Sequence, residues 1–137
     1  MYKRQGHASF DTARQATELL QSQGHELRTV PQDLYEFWVV ATRPIASNGL
    51  GFSPDEAEHH CGKIRRFFPL LRDERLIVDL WSALVTTHTV LGRNAHDARL
   101  VAAMQKHGLT HLLTFNADDF KRFPAITVLT PEAVMAG

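Results

Sequence analysis

Cysteine is almost absent. Cys61 is the only one in 137 residues, so no intramolecular disulfide is available, and a reducing cytosol is the compartment this fits. Its neighbours His59 and His60 do not give it the paired ligand spacing of a structural zinc site. No stretch approaches the ~20 apolar residues of a membrane span. The basic start Met1-Tyr2-Lys3-Arg4 has no apolar run behind it and does not read as a signal peptide. Excess charge of one sign is missing too, because 15 Lys plus Arg balance 15 Asp plus Glu. That balance excludes a general polyanion-binding protein but leaves local contact with RNA open. Eight histidines add positive charge only below neutrality. No internal repeat or low-complexity tract interrupts the chain, whose length suits one domain over 1–137.

What is present is an ordinary apolar content, 44% of residues, laid out in helix and strand periods. Ala13, Ala16, Leu19 and Leu20 predict a helix from Ser9 to about Gln23, stopped by Gly24. Glu26 to Val30 alternates as a short strand. Pro31 suits the first turn of a second helix, whose Leu34, Phe37, Trp38 and Ala41 form a stripe ending near Arg43-Pro44. Ser47 to Gly51 reads as a loop, and Ser53-Pro54-Asp55-Glu56 opens a third helix to about Phe68. Phe68 to Leu71 reads as extended, Asp73 opens a fourth helix to about His88, and Asn94 caps a fifth that ends at Gly108. Thr110 to Phe115 is a strand, Asp118 to Arg122 one helical turn, and 126–129 a last strand. Trp38, Phe67, Phe68 and Trp81 are expected in the core. The alternation predicts an α/β fold with a short, mostly parallel sheet covered on both faces. Ligands of such sheets bind at the carboxyl ends of strands, which directs attention to Phe115-Asn116-Ala117-Asp118-Asp119.

Three segments set an acid inside an apolar pattern: Gln32-Asp33-Leu34-Tyr35-Glu36-Phe37-Trp38, His96-Asp97-Ala98-Arg99 and Thr114 to Phe120. Glu36 falls close to the expected buried face, where a lone carboxylate is costly and calls for a positive neighbour. If the fold gathers Glu36, Asp97 and Asp119, their repulsion needs a cation to offset it. Oxygen-only ligands suit Mg2+ or Mn2+, ions that meet a substrate phosphate and turn bound water into hydroxide. Plainer readings stay open. Asp97 also suits a helix-start acid, worth ~0.3–1 kcal/mol against the helix dipole. Asp118 and Asp119 also suit a turn closed by Asn116, and Glu36 also suits an ion pair with an arginine. His96 suits a helix start or a hydrogen-bonded place behind metal ligands, and His59-His60-Cys61 a solvated helix face. Arg43, Arg93 and Arg99 are candidates for steering phosphate and equally for structural ion pairs.

At these segments the sequence resembles the PIN domain, and within it the VapC-type branch of bacterial toxin-like endoribonucleases paired with small antitoxins. Gln32 to Trp38, followed by Ala41-Thr42-Arg43-Pro44 and Asn48-Gly49-Leu50-Gly51, is similar to that branch's second-acid helix and loop. His96 to Met104 resembles its third-acid helix, and Thr110 to Asn116 through Asp119-Phe120 resembles its final acid loop. The likeness runs from about His7 to Pro131. It implies a three-layer α/β/α fold and hydrolysis of RNA by a metal-activated water. Glu36, Asp97 and Asp119 are then the catalytic and metal-binding acids for Mg2+ or Mn2+. Thr114, Asn116 and His96 are supporting groups, and Asp118 competes for the place of the last acid. A homodimer and a small antitoxin protein covering the acidic groove are implied as partners.

The resemblance has a gap. Family members begin with an apolar strand ending in Asp-Thr-Asn or similar, which supplies a first acid from the centre of the sheet. Here Ser9-Phe10 precede Asp11 inside a helix start, a poor substitute. The expected consequences are open strand edges and weaker Mg2+ binding, hence impaired cleavage. A start assigned downstream of the true one, or a truncated gene, accounts for such a gap. The alternative function is an inactive remnant that keeps antitoxin binding or dimerisation.

Overall fold

The computed structural model describes residues 6–137, so the basic start over 1–5 lies outside the described residues. The chain forms two compact units, the first made of residues up to Leu71 together with Pro131–Gly137, the second of Arg72–Thr130. The architecture is mixed α/β and mostly helical. Among the described residues, no helix is long and apolar enough to cross a membrane.

In the first unit, helix α1 (Gly6–Ser22) ends where Gly24 takes φ 90° and His25 N–H reaches the Leu20 carbonyl at 3.1 Å. This is a Schellman closure, in which a left-handed residue lets the chain satisfy a last-turn carbonyl. The strand expected over 26–30 is reduced to one parallel bridge between Thr29 and Leu70, with Thr29 N–H on the Pro69 carbonyl at 3.1 Å and Leu71 N–H on the Thr29 carbonyl at 2.8 Å. Pro31 turns the chain into helix α2 (Pro31–Thr42) immediately afterwards, so that bridge has no room to lengthen.

After α2 the chain passes through a 3-10 turn (Ile45–Ser47) and folds back on the helix it has just left. Leu50 N–H donates to Val40, Gly51 N–H to Arg43 and Phe52 N–H to Ala41, at 2.9, 2.9 and 2.8 Å, so carbonyls at the end of α2 find donors in the returning loop. The return seats Leu50 against Ala41 and Ala57, with Phe10, Phe37, Trp38, Val40 and Phe52 packed around them. Gly49 runs so close to the Arg43 carbonyl that a side-chain methyl would overlap it.

Helix α3 (Pro54–Phe67) opens as its sequence predicts: Ser53 Oγ accepts Glu56 N–H at 3.1 Å and Glu56 Oε1 accepts Ser53 N–H at 3.0 Å. Ala57, Cys61, Ile64 and Phe68 turn inward. That phase rotates Phe67 outward, so this expected core residue is 59% exposed. Helix α6 (Pro131–Ala136) packs on α1; its six residues are too few for a periodic signal.

In the second unit, helix α4 (Leu76–Thr87) starts three residues later than Asp73 suggests, its first bonds being Ile77 N–H to Glu74 and Val78 N–H to Arg75 at 3.0 and 3.2 Å. Helix α5 (Asn94–Lys106) packs against α4, and the Trp81 indole N–H holds the Ala95 carbonyl at 2.8 Å. Arg93, not Asn94, occupies the position before α5, and no side chain caps it. Ala98 and Leu100 to Met104 are all buried, which makes α5 the central helix of this unit. Strands β1 (His111–Leu113) and β2 (Thr127–Leu129) pair in parallel, His111 opposite Thr127 and Leu113 opposite Leu129. The sheet therefore has two strands, where three or four were expected, because the segments at 26–30 and 68–71 meet only at a single bridge.

Helices α4 and α5 close as α1 does, Val90 N–H on Val85 and Leu109 N–H on Met104, at 3.0 and 2.8 Å. The left-handed residue is Gly108 after α5 but Thr89, with φ 51°, after α4. A β-branched residue in that region costs ~1–2 kcal/mol. Thr89→Gly should raise stability by about 1 kcal/mol in urea unfolding; an unchanged or lower midpoint refutes the strain. In the same assay Gly49→Ala should cost about 2 kcal/mol or more, because the Arg43 backbone must move.

Candidate functional site

Gly108 (φ 70°) reverses the chain after α5, so β1 runs back toward the end where α5 began. The 13 residues of α5 span ~20 Å at ~1.5 Å each, similar to the ~17 Å of an extended chain over Thr110–Thr114. A second contact fixes the far end: the His88 ring, at the close of α4, meets the Phe123 ring at 5.3 Å. The 3-10 turn Ala117–Phe120 that follows β1 packs on α5. The first turn of α5, with His96 and Asp97, and the loop carrying Asn116, Asp118 and Asp119 thus share one end of the second unit. It is the end at which the parallel strands finish.

Local bonds shape that loop. Thr114 Oγ1 accepts Asn116 N–H at 3.1 Å, and the Asn116 carbonyl accepts Asp119 N–H at 3.1 Å. Asp118 lies in the open, 2.7 Å from Lys121 Nζ, and the hydrogen bond and charge of that ammonium hold its carboxyl below the usual range. Asp119 is exposed and Asp97 half-buried; Arg93, His96 and Arg99 are exposed on or beside the start of α5.

Glu36 belongs to the first unit and differs from its expectation. It is exposed on α2, and its Oε2 accepts a 2.8 Å hydrogen bond from Gln32 Nε2, one turn earlier, where a positive partner was anticipated. The inward arc of α2 runs through Phe37 and Ala41, which turns Tyr35 and Glu36 toward solvent. Arg43 donates to the Asn48 carbonyl at 3.2 Å, while its buried Nε has no hydrogen-bond partner among the described residues.

The desolvated acid of α2 is Asp33, which sequence reasoning passed over. It is half-buried, and desolvation raises its pKa to about 6, opposed by the Val30 N–H it accepts at 2.9 Å and reinforced by the charge of Glu36. The available signal was an acid at the third helical position behind Val30-Pro31. The His59-His60-Cys61 run is also not one solvated face. Only His59 is exposed, Cys61 is buried, and the His60 ring stacks on Phe52 at 4.9 Å and meets the edge of Phe10 at 5.2 Å. Burial pushes the His60 pKa down and the Cys61 pKa up.

Among the described residues, no three His, Cys, Asp or Glu side chains gather into a group that could hold a metal ion. In comparisons with known proteins, no family model, curated sequence or solved structure matches the chain.

Between about pH 4 and 6 the folded protein keeps a proton on Asp33 that the unfolded chain has released, so stability falls as pH rises through that window. Asparagine at this position still accepts the Val30 N–H but carries no charge. Asp33→Asn should therefore be more stable than the parent at pH 8, by about 1–3 kcal/mol, and the advantage should vanish near pH 4. An equal difference at both pH values contradicts the burial of this carboxylate.

Proposed function

We propose that the chain is a metal-dependent hydrolase of nucleic-acid phosphodiesters. More particularly, we read it as a VapC-type PIN endoribonuclease, the toxin of a toxin–antitoxin pair, in a three-layer PIN-like arrangement. The observation that carries this reading is the shared position of the Asp97 turn and the Asn116–Asp119 loop, where the parallel strands end. The resemblance of Gln32 to Trp38, His96 to Met104 and Thr110 to Phe120 to that branch supports it.

Asp97 and Asp119 are the acids we propose for Mg2+ or Mn2+, since both offer carboxylate oxygens that solvent reaches fully or in part; the resemblance adds Glu36 to them. When bound, such an ion supplies a hydroxide nucleophile and offsets charge on the phosphate. The pairing of Asp118 with Lys121 favours Asp119 as the last acid. Thr114 holds the loop through Asn116 N–H. Arg93 and Arg99 draw the RNA phosphate toward the start of α5, and Arg43 is a further candidate for that task. The proposed setting is cytoplasmic.

A second reading, a module that binds an antitoxin or a second copy without catalysis, is favoured by the exposed apolar pair Tyr35 and Val39, one turn apart on α2 and exposed by 61 and 57%. Calorimetry separates the two, since heat of Mn2+ binding that disappears in Glu36→Gln belongs to the nuclease. For the nuclease, purified chain with Mg2+ or Mn2+ should cut single-stranded RNA, EDTA should stop it, and Asp97→Asn should lower the rate ~100-fold or more. Metal-dependent cutting that survives Asp97→Asn at full rate sinks the proposal.

A further inference from the structure

The carboxylate site leaves one surface of the first unit without a role. Opposite the inward-turned Ala57, Cys61, Ile64 and Phe68, helix α3 presents His59, Gly62, Lys63, Arg66 and Phe67, all exposed. Their spacing of three and four residues places them on one face, and the space above Gly62 is open. Arg65 flanks this face.

The other cations described in the first unit are engaged. Arg14 pairs with Glu18 at 3.1 Å, Arg28 with Glu26 at 3.3 Å, and Arg43 donates to the Asn48 carbonyl at 3.2 Å. Lys63, Arg65 and Arg66 make no ion pair among the described residues. The acids of α3, Asp55, Glu56 and Glu58, lie toward its opposite end, and Glu56 is held by Ser53. A chain of no net charge thus gathers three unneutralised cations beside a phenyl ring that is 59% exposed. The helix dipole accounts for cations in a last turn, but it gives no reason for Phe67 to face water. The Arg66 guanidinium lies 5.9 Å from the ring centroid, over one face, which leaves the other for a planar ligand.

We propose that this face of α3 binds single-stranded RNA, with Phe67 stacking on a base and Lys63, Arg65 and Arg66 meeting the phosphates. An aromatic platform beside a row of cations is the usual composition of a surface that holds single strands with little sequence preference. The ligand class rests on the ribonuclease reading, whereas the surface rests on its own charge and ring. Its task is to hold the substrate strand.

The test is fluorescence anisotropy of a labelled oligouridylate with the full chain in EDTA, where binding is read without cleavage. The double variant Lys63→Gln/Arg66→Gln should weaken binding about ten-fold or more at low salt. Each lost cation should also flatten the slope of log affinity against log salt by about 0.7. Phe67→Ala should weaken oligouridylate about five-fold or more yet leave inorganic polyphosphate unaffected, and Phe67→Tyr should retain full affinity. Unaltered oligouridylate affinity in the double variant, an equal loss of polyphosphate affinity in Phe67→Ala, or displacement by polyglutamate as effective as by RNA overturns the proposal. Circular dichroism keeps an unfolded variant from counting. Cleavage of the same strand with Mg2+ is scored separately. Binding by this face without cleavage removes the nuclease and keeps the surface; cleavage with binding indifferent to these residues does the reverse.

Discussion

The hydrogen bond from Leu109 N–H to the Met104 carbonyl, possible because Gly108 takes a left-handed conformation, governs the second unit. It stops α5 and sends β1 back toward the start of that helix. Without the reversal, Asp97 and Asp119 would mark opposite ends of one continuous rod. With it, they share an end, and the residues between them, Ala98 and Leu100 to Met104, form the buried centre on which α4 and the 3-10 turn pack. A candidate site built from loop and helix start therefore stands on the best-packed element of the unit.

The first unit rests on a comparable device at the end of α2. The returning loop gives its N–H groups to that helix's final carbonyls and, in the same movement, drives Leu50 between Ala41 and Ala57. Hydrogen bonding and core formation are one event there, which explains why Gly49 cannot carry a side chain. At the other end of α2 the burial of charge is divided. Asp33 bears the desolvation while accepting Val30 N–H, and Glu36 stays in solvent against Gln32.

The proposed functions draw on different physics and suit different parts of the chain. Cutting a phosphodiester needs carboxylates on a firmly packed support; holding a flexible strand needs only exposed cations and a ring on a straight helix. The closures of α4 and α5 differ in the same spirit. Gly108 closes α5 without strain, whereas Thr89, ahead of the Asp97 turn, keeps a conformation that costs free energy.

Helices α1, α2, α3 and α5 were legible in the residues because each carries a local signal: Pro31 at a first turn, the Ser53 and Glu56 capping box, Gly24 and Gly108 as stops; α4 was found with its start misplaced, and α6 gave no signal. Local chemistry of this kind acts over a few residues and needs no partner. The short strands were legible at 111–113 and 127–129 but overcalled at 26–30, because a strand exists only where another backbone meets it along several residues. Glu36, His60, Cys61 and Phe67 were misjudged for a related reason. Each lies near a helix's apolar stripe, and a rotation of about one residue, ~100°, decides between core and water; the packing around Ala41, Leu50 and Ala57 sets that rotation for α2 and α3. The sequence by itself therefore determined which segments become helices and the points at which Pro31, Ser53, Gly24 and Gly108 bound them. Only the tertiary structure decided which acid is desolvated, which ring is exposed, and which loop shares an end of the unit with Asp97, since burial and proximity belong to contacts between segments far apart in the chain.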